Sequence, residues 1–150
     1  MIIKPADIMV IGGNEPVSWG IQVATRGWVS HSQIVWDWPM VISADAEGVV
    51  LRKVHDSELK KHAILRYPGL TDSQATSILT FCHGQVGVGY DYLGLLLFGV
   101  AQDPNRWYCS ELIHAGYQRG GVNLIVRSGF VEPRDFWVSP LLGVVERVNV

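Results

Sequence analysis

Residues 28 to 46 constrain the fold more than any other stretch of this chain. Apolar and polar side chains alternate from Trp28 to Trp36, Asp37-Trp38-Pro39 turns the chain, and Met40 to Ala46 runs back. A period of two is the mark of a strand with two different faces, so the stretch reads as a β-hairpin. On the first strand His31, Gln33 and Val35 share a face; on the return strand Val41, Ser43 and Asp45 do. Counting back from the turn sets roughly residues 43 to 45 opposite His31. Ser43 or Asp45 is therefore placed to hold one imidazole nitrogen, leaving the other for a nucleophile.

A nucleophile of the right kind occurs later, in Arg106-Trp107-Tyr108-Cys109-Ser110-Glu111-Leu112-Ile113-His114-Ala115-Gly116-Tyr117. Asp103-Pro104-Asn105 is a turn signal. Leu112, Ile113, Gly116 and Tyr117 then fall at helical spacing on one face, and Gly120-Gly121 is a left-handed stop. Cys109 thus opens a predicted helix and shares the inward face of Leu112 and Ile113. Free amides and the positive dipole end favour an anion there and lower a thiol pKa, and the thiolate is the reactive species. The plain alternative is a small buried apolar residue.

The remaining chain supplies a sheet and helices around these two stretches. Asp7 to Ile11, Val49 to Val54, Ala63 to Tyr67 and Leu141 to Val148 read as strands, and Asn123 to Val126 is strand-like. Val17 to Thr25 reads as a short helix, and Tyr90-Asp91-Tyr92 leads into an apolar helix through Phe98. Asp56 is a candidate cap for a helical turn. Thr71-Asp72-Ser73-Gln74 starts a helix with Ala75, Ile78, Leu79 and Cys82 inward. Pro133-Arg134-Asp135-Phe136 is a turn or helical start. A cluster of strands with helices before and after it predicts an α+β fold with a mainly antiparallel sheet. At 150 residues, with 48% hydrophobic and 17% charged side chains, the chain suits one domain with a real core.

Several function classes fall away. A net charge of −2 offers no pull toward nucleic acid or an anionic membrane. Gly12-Gly13 lacks the Lys-Ser/Thr of a phosphate loop, and no strand precedes Gly84, Gly87 and Gly89, so the dinucleotide reading fails. Cys82-His83 invites a metal reading, but adjacent helical residues diverge by about 100° and no pair stands at zinc spacing. No metal and no cofactor is expected. His114, five positions beyond Cys109, lies about 140° around the helix from it. The two cysteines form no disulfide framework. The first seven residues lack the apolar core of a signal peptide, and Leu93 to Ala101 is too short to span a bilayer; these point to cytoplasmic synthesis. Oligomeric state is not legible.

The motifs resemble the circularly permuted branch of the NlpC-like papain-fold cysteine peptidases, the YiiX-like proteins. Ala6-Asp7-Ile8 is similar to the opening Gly-Asp-Ile, Ser30-His31-Ser32-Gln33-Ile34-Val35 to the histidine motif, and Val41-Ile42-Ser43-Ala44 to the strand bearing the third polar residue. Gly89-Tyr90-Asp91, Tyr108-Cys109-Ser110-Glu111-Leu112 and Pro133-Arg134-Asp135-Phe136 with Ser139 complete the set in family order. Two positions depart from the pattern. Ser43 stands where a Glu or another polar residue is usual and supplies no charge, although Asp45 on the same face is a substitute. Gln33 stands where a small residue is preferred, which alters the pocket floor.

The resemblance implies a papain-like fold, an antiparallel sheet or small barrel packed on the helix that carries Cys109. It implies Cys109 as nucleophile, His31 as general base, and an oxyanion site at the helix start. Tyr90, Trp107 and Gln33 would contact substrate, with Trp28, Trp36 and Trp38 as a further apolar wall. The implied activity is a thiol-dependent amide hydrolase acting on cell-wall peptides. An acyltransferase or thioesterase on a lipid or acyl substrate, motivated by the apolar Leu93–Phe98 stretch, is an alternative. So is a binding domain that has lost catalysis.

Overall fold

The structure, a computed structural model, describes residues 2–13, 27–89, 107–125 and 129–150. The helices expected over 17–25 and through Phe98, and Tyr90 itself, lie outside the described residues. The architecture is α+β. Strands β1 (Ile8–Ile11), β2 (His31–Asp37), β3 (Met40–Asp45), β4 (Gly48–Lys53), β5 (His62–Arg66) and β6 (Gly143–Val148) form one antiparallel sheet. Its order is β4-β3-β2-β1-β5-β6, an open sheet rather than a small barrel. Helices α1 (Asp72–Gly84), α2 (Cys109–Arg119) and the short α3 (Pro133–Val138) accompany it. No helix among the described residues is long and apolar enough to cross a membrane.

Strand alternation sorts the apolar side chains into two sets. Ile8, Val10, Ile34, Ile42, Ala44, Ala63 and Leu65 belong to the larger cluster, with Ile78 and Cys82 of α1 and Leu112, Ile113 and Tyr117 of α2. Met9, Ile11, Val35, Val41 and Ile64 form a smaller cluster on the other face. The β2–β3 hairpin turns through Trp38-Pro39, whose peptide bond is cis.

Helix α1 begins where the sequence signals it. Thr71 Oγ1 accepts from the Gln74 amide at 3.1 Å, and Gln74 Oε1 accepts from the Thr71 amide at 3.0 Å. Helix α2 packs against α1, β2 and β3. Its approach to α1 needs Gly116, where a Cβ would stand 2.6 Å from Cys82 Sγ.

Three expectations are corrected. Strand β2 starts at His31, not Trp28. The 3-10 helix Glu58–Lys60 is preceded by Ser57 rather than capped by Asp56. Asn123 to Ile125 is irregular. Leu124 and Ile125 are buried without a paired strand among the described residues, and the Leu124 carbonyl accepts from Ser139 Oγ at 2.9 Å. Apolar content alone had imitated a strand there.

Candidate active site

Cys109 is the first residue of α2, following an extended Tyr108 (φ −96°, ψ 162°). Its two neighbours fasten this helix end. Tyr108 is buried, its ring stacks on Phe130 at 4.7 Å, and its hydroxyl accepts from the Val131 amide at 3.3 Å. Ser110 Oγ donates to the Val131 carbonyl at 2.5 Å. Cys109 is held between these anchors, and only 2% of its surface is exposed.

His31 is the first residue of β2 and pairs with Ile11. The register between β2 and β3 runs from Asp37↔Met40 to Ile34↔Ile42, while β3 continues to Asp45 alongside β4. The two strands part toward His31. In this fork His31 Nε2 lies 2.9 Å from Ser43 Oγ and 3.3 Å from Asp45 Oδ1. Ser43 Oγ in turn donates to Asp45 Oδ1 at 2.5 Å. His31 and Cys109 are also close enough to shift each other's titration by charge and hydrogen bonding. With Nε2 taken, Nδ1 is the nitrogen left for the sulfur.

A second layer of charge stands behind Asp45. Arg52 Nε donates to Asp45 Oδ2 at 2.8 Å, and the same guanidinium donates to Glu58 Oε1 at 2.7 Å and Oε2 at 3.0 Å. Glu58 also accepts from the His55 amide at 2.8 Å. Gln33 closes the network. It is fully buried, its Oε1 accepts from Arg52 at 3.1 Å, and its amide faces Met9 Sδ at 3.2 Å.

The electrostatics follow from these contacts. Burial by itself would raise the Cys109 thiol; the His31 charge and hydrogen bond, with the amide and hydroxyl of Ser32, outweigh it and bring the thiol below its ordinary value. Burial would lower the His31 imidazole; the Cys109 charge and the hydrogen bonds of Asp45 and Cys109 push it up to about 10. Burial would raise the Asp45 carboxyl, yet hydrogen bonds from His31 and Arg52 hold it well below the usual carboxylate range. These contacts favour the ionised thiol and the protonated imidazole relative to the free groups, with a carboxylate behind them. Such a pair delivers a sulfur nucleophile and a proton donor for a leaving group.

Cys82 offers the contrast. Burial pushes its thiol up to about 12, with no cation beside it among the described residues, and both cysteines are free. His114 turns toward α3, where Asp135 is its charged neighbour.

The expected substrate contacts fare differently. Gln33 has no exposed surface to offer a substrate; it is a buried member of the Arg52 network, on the face of β2 opposite Ile34. Trp107 is partly buried, donates from its amide to Gly89 O at 2.9 Å and from Nε1 to Gln85 Oε1 at 2.9 Å. Trp36 packs on His83 at 4.9 Å and Trp38 joins the smaller core cluster, both at the far end of β2 from His31. Trp28 packs edge-on against Trp137 at 5.2 Å. These tryptophans do not form one wall at the site. Sequence reading missed Arg52, Glu58 and Ser32. Only Ser32 had a signal, its place beside the histidine.

No family model matches the chain. It is 27% identical to a protein of Escherichia coli strain K12 named probable lipoprotein peptidase YaeF, over 89% of this chain. The alignment covers 62% of that relative, so the chain spans about three-fifths of its length. The solved structure of the metalloprotein YiiX from Escherichia coli O157:H7 superposes with a TM-score of 0.79 at 20% identity, covering 96% of this chain and 97% of that one. Among the described residues no three His, Cys, Asp or Glu side chains converge as a ligand set. Cys109 and Asp45 contact His31 in series, and the second Asp45 oxygen is committed to Arg52. This donor set does not fit a metal ion. The chain is thus similar in sequence to YaeF and shares the fold of YiiX, in keeping with the resemblance drawn from the motifs.

Proposed function

We propose that the protein is a cysteine-dependent amide hydrolase, a peptidase or amidase, acting on short peptides of the cell-wall type. One observation carries this reading: Cys109, at a helix start, contacts an imidazole whose other nitrogen is held by Ser43 and Asp45. Cys109 Sγ attacks the amide carbonyl, the oxyanion forms beside the helix-start amides, and His31 gives its proton to the leaving amine. Water, deprotonated by His31, then releases the acid from the thioester. The relative named as a lipoprotein peptidase supports the peptidase class. The lipid or acyl reading rested on Leu93 to Phe98, outside the described residues, and on the nearby tryptophans, of which Trp28, Trp36 and Trp38 pack in separate places.

The test is hydrolysis of a peptidoglycan-peptide digest by the full chain, followed by mass spectrometry, with an acyl thioester in parallel. Amide cleavage that disappears in Cys109→Ala and in His31→Gln is the expected result. Thioester turnover alone would move the assignment to acyl substrates. Equal activity in wild type and Cys109→Ala would end the thiol mechanism.

A further inference from the structure

Ser32 is a buried polar residue that the mechanism above leaves without a task. Its Oγ is fully enclosed and makes no well-formed hydrogen bond within the described residues. Buried hydroxyls almost always have a partner, so this one asks for a reason. Its place in the pleat supplies one. Ser32 pairs with Val10 and shares the helix-facing side of β2 with Ile34, whereas His31 belongs to the opposite pleat. The Val35 amide donates to Asp7 O on the β1 side. Amides alternate along an antiparallel strand, so those of Ser32 and Ile34 turn toward β3. The β2–β3 register reaches only Ile34↔Ile42, and at Ser32 the neighbouring strand has parted. Helix α2, which opens with Cys109, packs against β2 and β3, and the Ser32 amide and hydroxyl both act to lower the Cys109 thiol.

We propose that Ser32 is a further catalytic residue, a two-pronged donor whose N–H and Oγ–H hold the negative sulfur of Cys109 in the resting state. This rests on the thiol reading above. The proton that leaves Sγ goes to His31, and Ser32 keeps its own proton throughout. When sulfur bonds to the carbonyl carbon its charge moves to oxygen, so the Ser32 donors relax. They tighten again when the acid departs and the thiolate returns. Holding the anion makes each thiolate slightly less nucleophilic but far more abundant at neutral pH, and nucleophilicity falls more slowly than pKa. Of the charged groups at the site, His31 from β2 acts on the sulfur itself, Asp45 from β3 with Arg52 and Glu58 behind it acts through His31, and Glu111 stands two residues on along α2. Ser32 is the neutral donor among them.

The experiment follows iodoacetamide alkylation at Cys109 by mass spectrometry from pH 5 to 10 in wild type, Ser32→Ala and Ser32→Thr. Circular dichroism checks that each is folded. Loss of the hydroxyl is expected to raise the reaction midpoint by about one pH unit, with Thr restoring it. Should Ala not fold, the isosteric pair Ser32→Thr and Ser32→Val reads the same hydroxyl. Superimposable profiles with and without the hydroxyl, on a low wild-type midpoint, overturn the Ser32 role and leave the thiol mechanism standing. A wild-type midpoint near the free-thiol value of about 8.5 overturns both.

Discussion

The Ser43 hydroxyl bridges His31 and Asp45: it lies 2.9 Å from His31 Nε2 and donates to Asp45 Oδ1. Ser43 therefore passes a hydrogen bond along, while Asp45, 3.3 Å from the same nitrogen, supplies the charge. The sequence left open which of the two holds the imidazole, and the geometry gives each a separate part. Asp45→Asn keeps shape and removes charge, so the His31 pKa is expected to fall from about 10 by about 1–3 units. Ser43→Ala removes only a neutral link and should shift it by less. NMR titration of the imidazole decides this, and equal shifts in the two variants would contradict the division.

Stability should be bell-shaped in pH. His31 has a raised folded pKa, so its contribution is present below the unfolded value of about 6.5 and is lost as pH rises toward about 10. Cys109 has a lowered one, so its contribution is present above about 8.5 and is lost as pH falls through the folded value. Between the two unfolded values, roughly 6.5 and 8.5, the two contributions have opposite slopes, so they offset each other wherever the folded thiol is ionised and His31 is charged. Above that window the folded chain keeps a proton the unfolded chain has lost; below it the unfolded chain gains one. Asp45, whose carboxyl is lowered, adds a further loss below about 4. Urea midpoints from pH 3 to 10 should show the plateau and both limbs. In Cys109→Ala the pair can no longer form, and an unchanged alkaline limb would show that the limb has another origin.

Much of this site was legible because it sits on regular elements. The alternation of 28–36 and the turn at Asp37-Trp38-Pro39 fixed which face carries His31, Ser43 and Asp45, and the period of two leaves no other face available. The 3.6-residue repeat after Tyr108 likewise fixed where α2 starts. Arg52 was out of reach for a physical reason. It stands opposite Val41 in the ladder, four residues from Asp45, and spans the gap with a long side chain that no periodicity describes. Glu58 comes from a 3-10 turn outside the sheet. Gln33 misled because its face was known but not what lay against it. Trp36 and Trp38 misled because closeness along a strand is distance in space, about 3.3 Å per residue.

Arg52 is the shared partner of Asp45 and Glu58, so Arg52→Met leaves two largely buried carboxylates uncompensated. Removing one member of a buried pair costs about 3–5 kcal/mol, and the partial exposure here should bring that to about 2–3 kcal/mol. Asp45 should also lose its grip on His31, so kcat/KM falls together with stability. Lysine in place of Arg52 restores charge but not the fork, and is expected to recover only part of both. Denaturant melts and peptide turnover on the same samples test this. A fully stable Arg52→Met protein would mean that the carboxylates have found solvent.

Gly116 lets α2 approach α1. A methyl there would meet Cys82 Sγ at 2.6 Å, and this sulfur is fully buried with little room to move. Gly116→Ala is therefore expected to destabilise by about 1–3 kcal/mol through overpacking, despite the better helix propensity of alanine. The double variant Cys82→Ala/Gly116→Ala removes the obstructing sulfur and should recover most of the loss. Thermal melts of the two singles and the double form a cycle, and simple additivity would contradict the contact as the cause.

Ala6 carries the opposite defect, a side chain where the backbone prefers none. It is fully buried with φ 69°, its amide donates to Val35 O at 2.8 Å, and its carbonyl accepts from the Tyr117 hydroxyl at 2.6 Å. These two bonds tie it to β2 and α2 and hold the left-handed conformation. That conformation costs an L-residue with a Cβ roughly 1–2 kcal/mol. Glycine would relieve it while adding about 0.5–1 kcal/mol of unfolded-chain entropy to be lost on folding. Ala6→Gly should therefore raise stability by about 0.5–1 kcal/mol, a Tm gain of about 1–4 °C at this size. Ala6→Val, adding a β-branch at the same φ, should lower it sharply. A glycine variant that melts below wild type would mean that the buried methyl contributes more than the strain it causes.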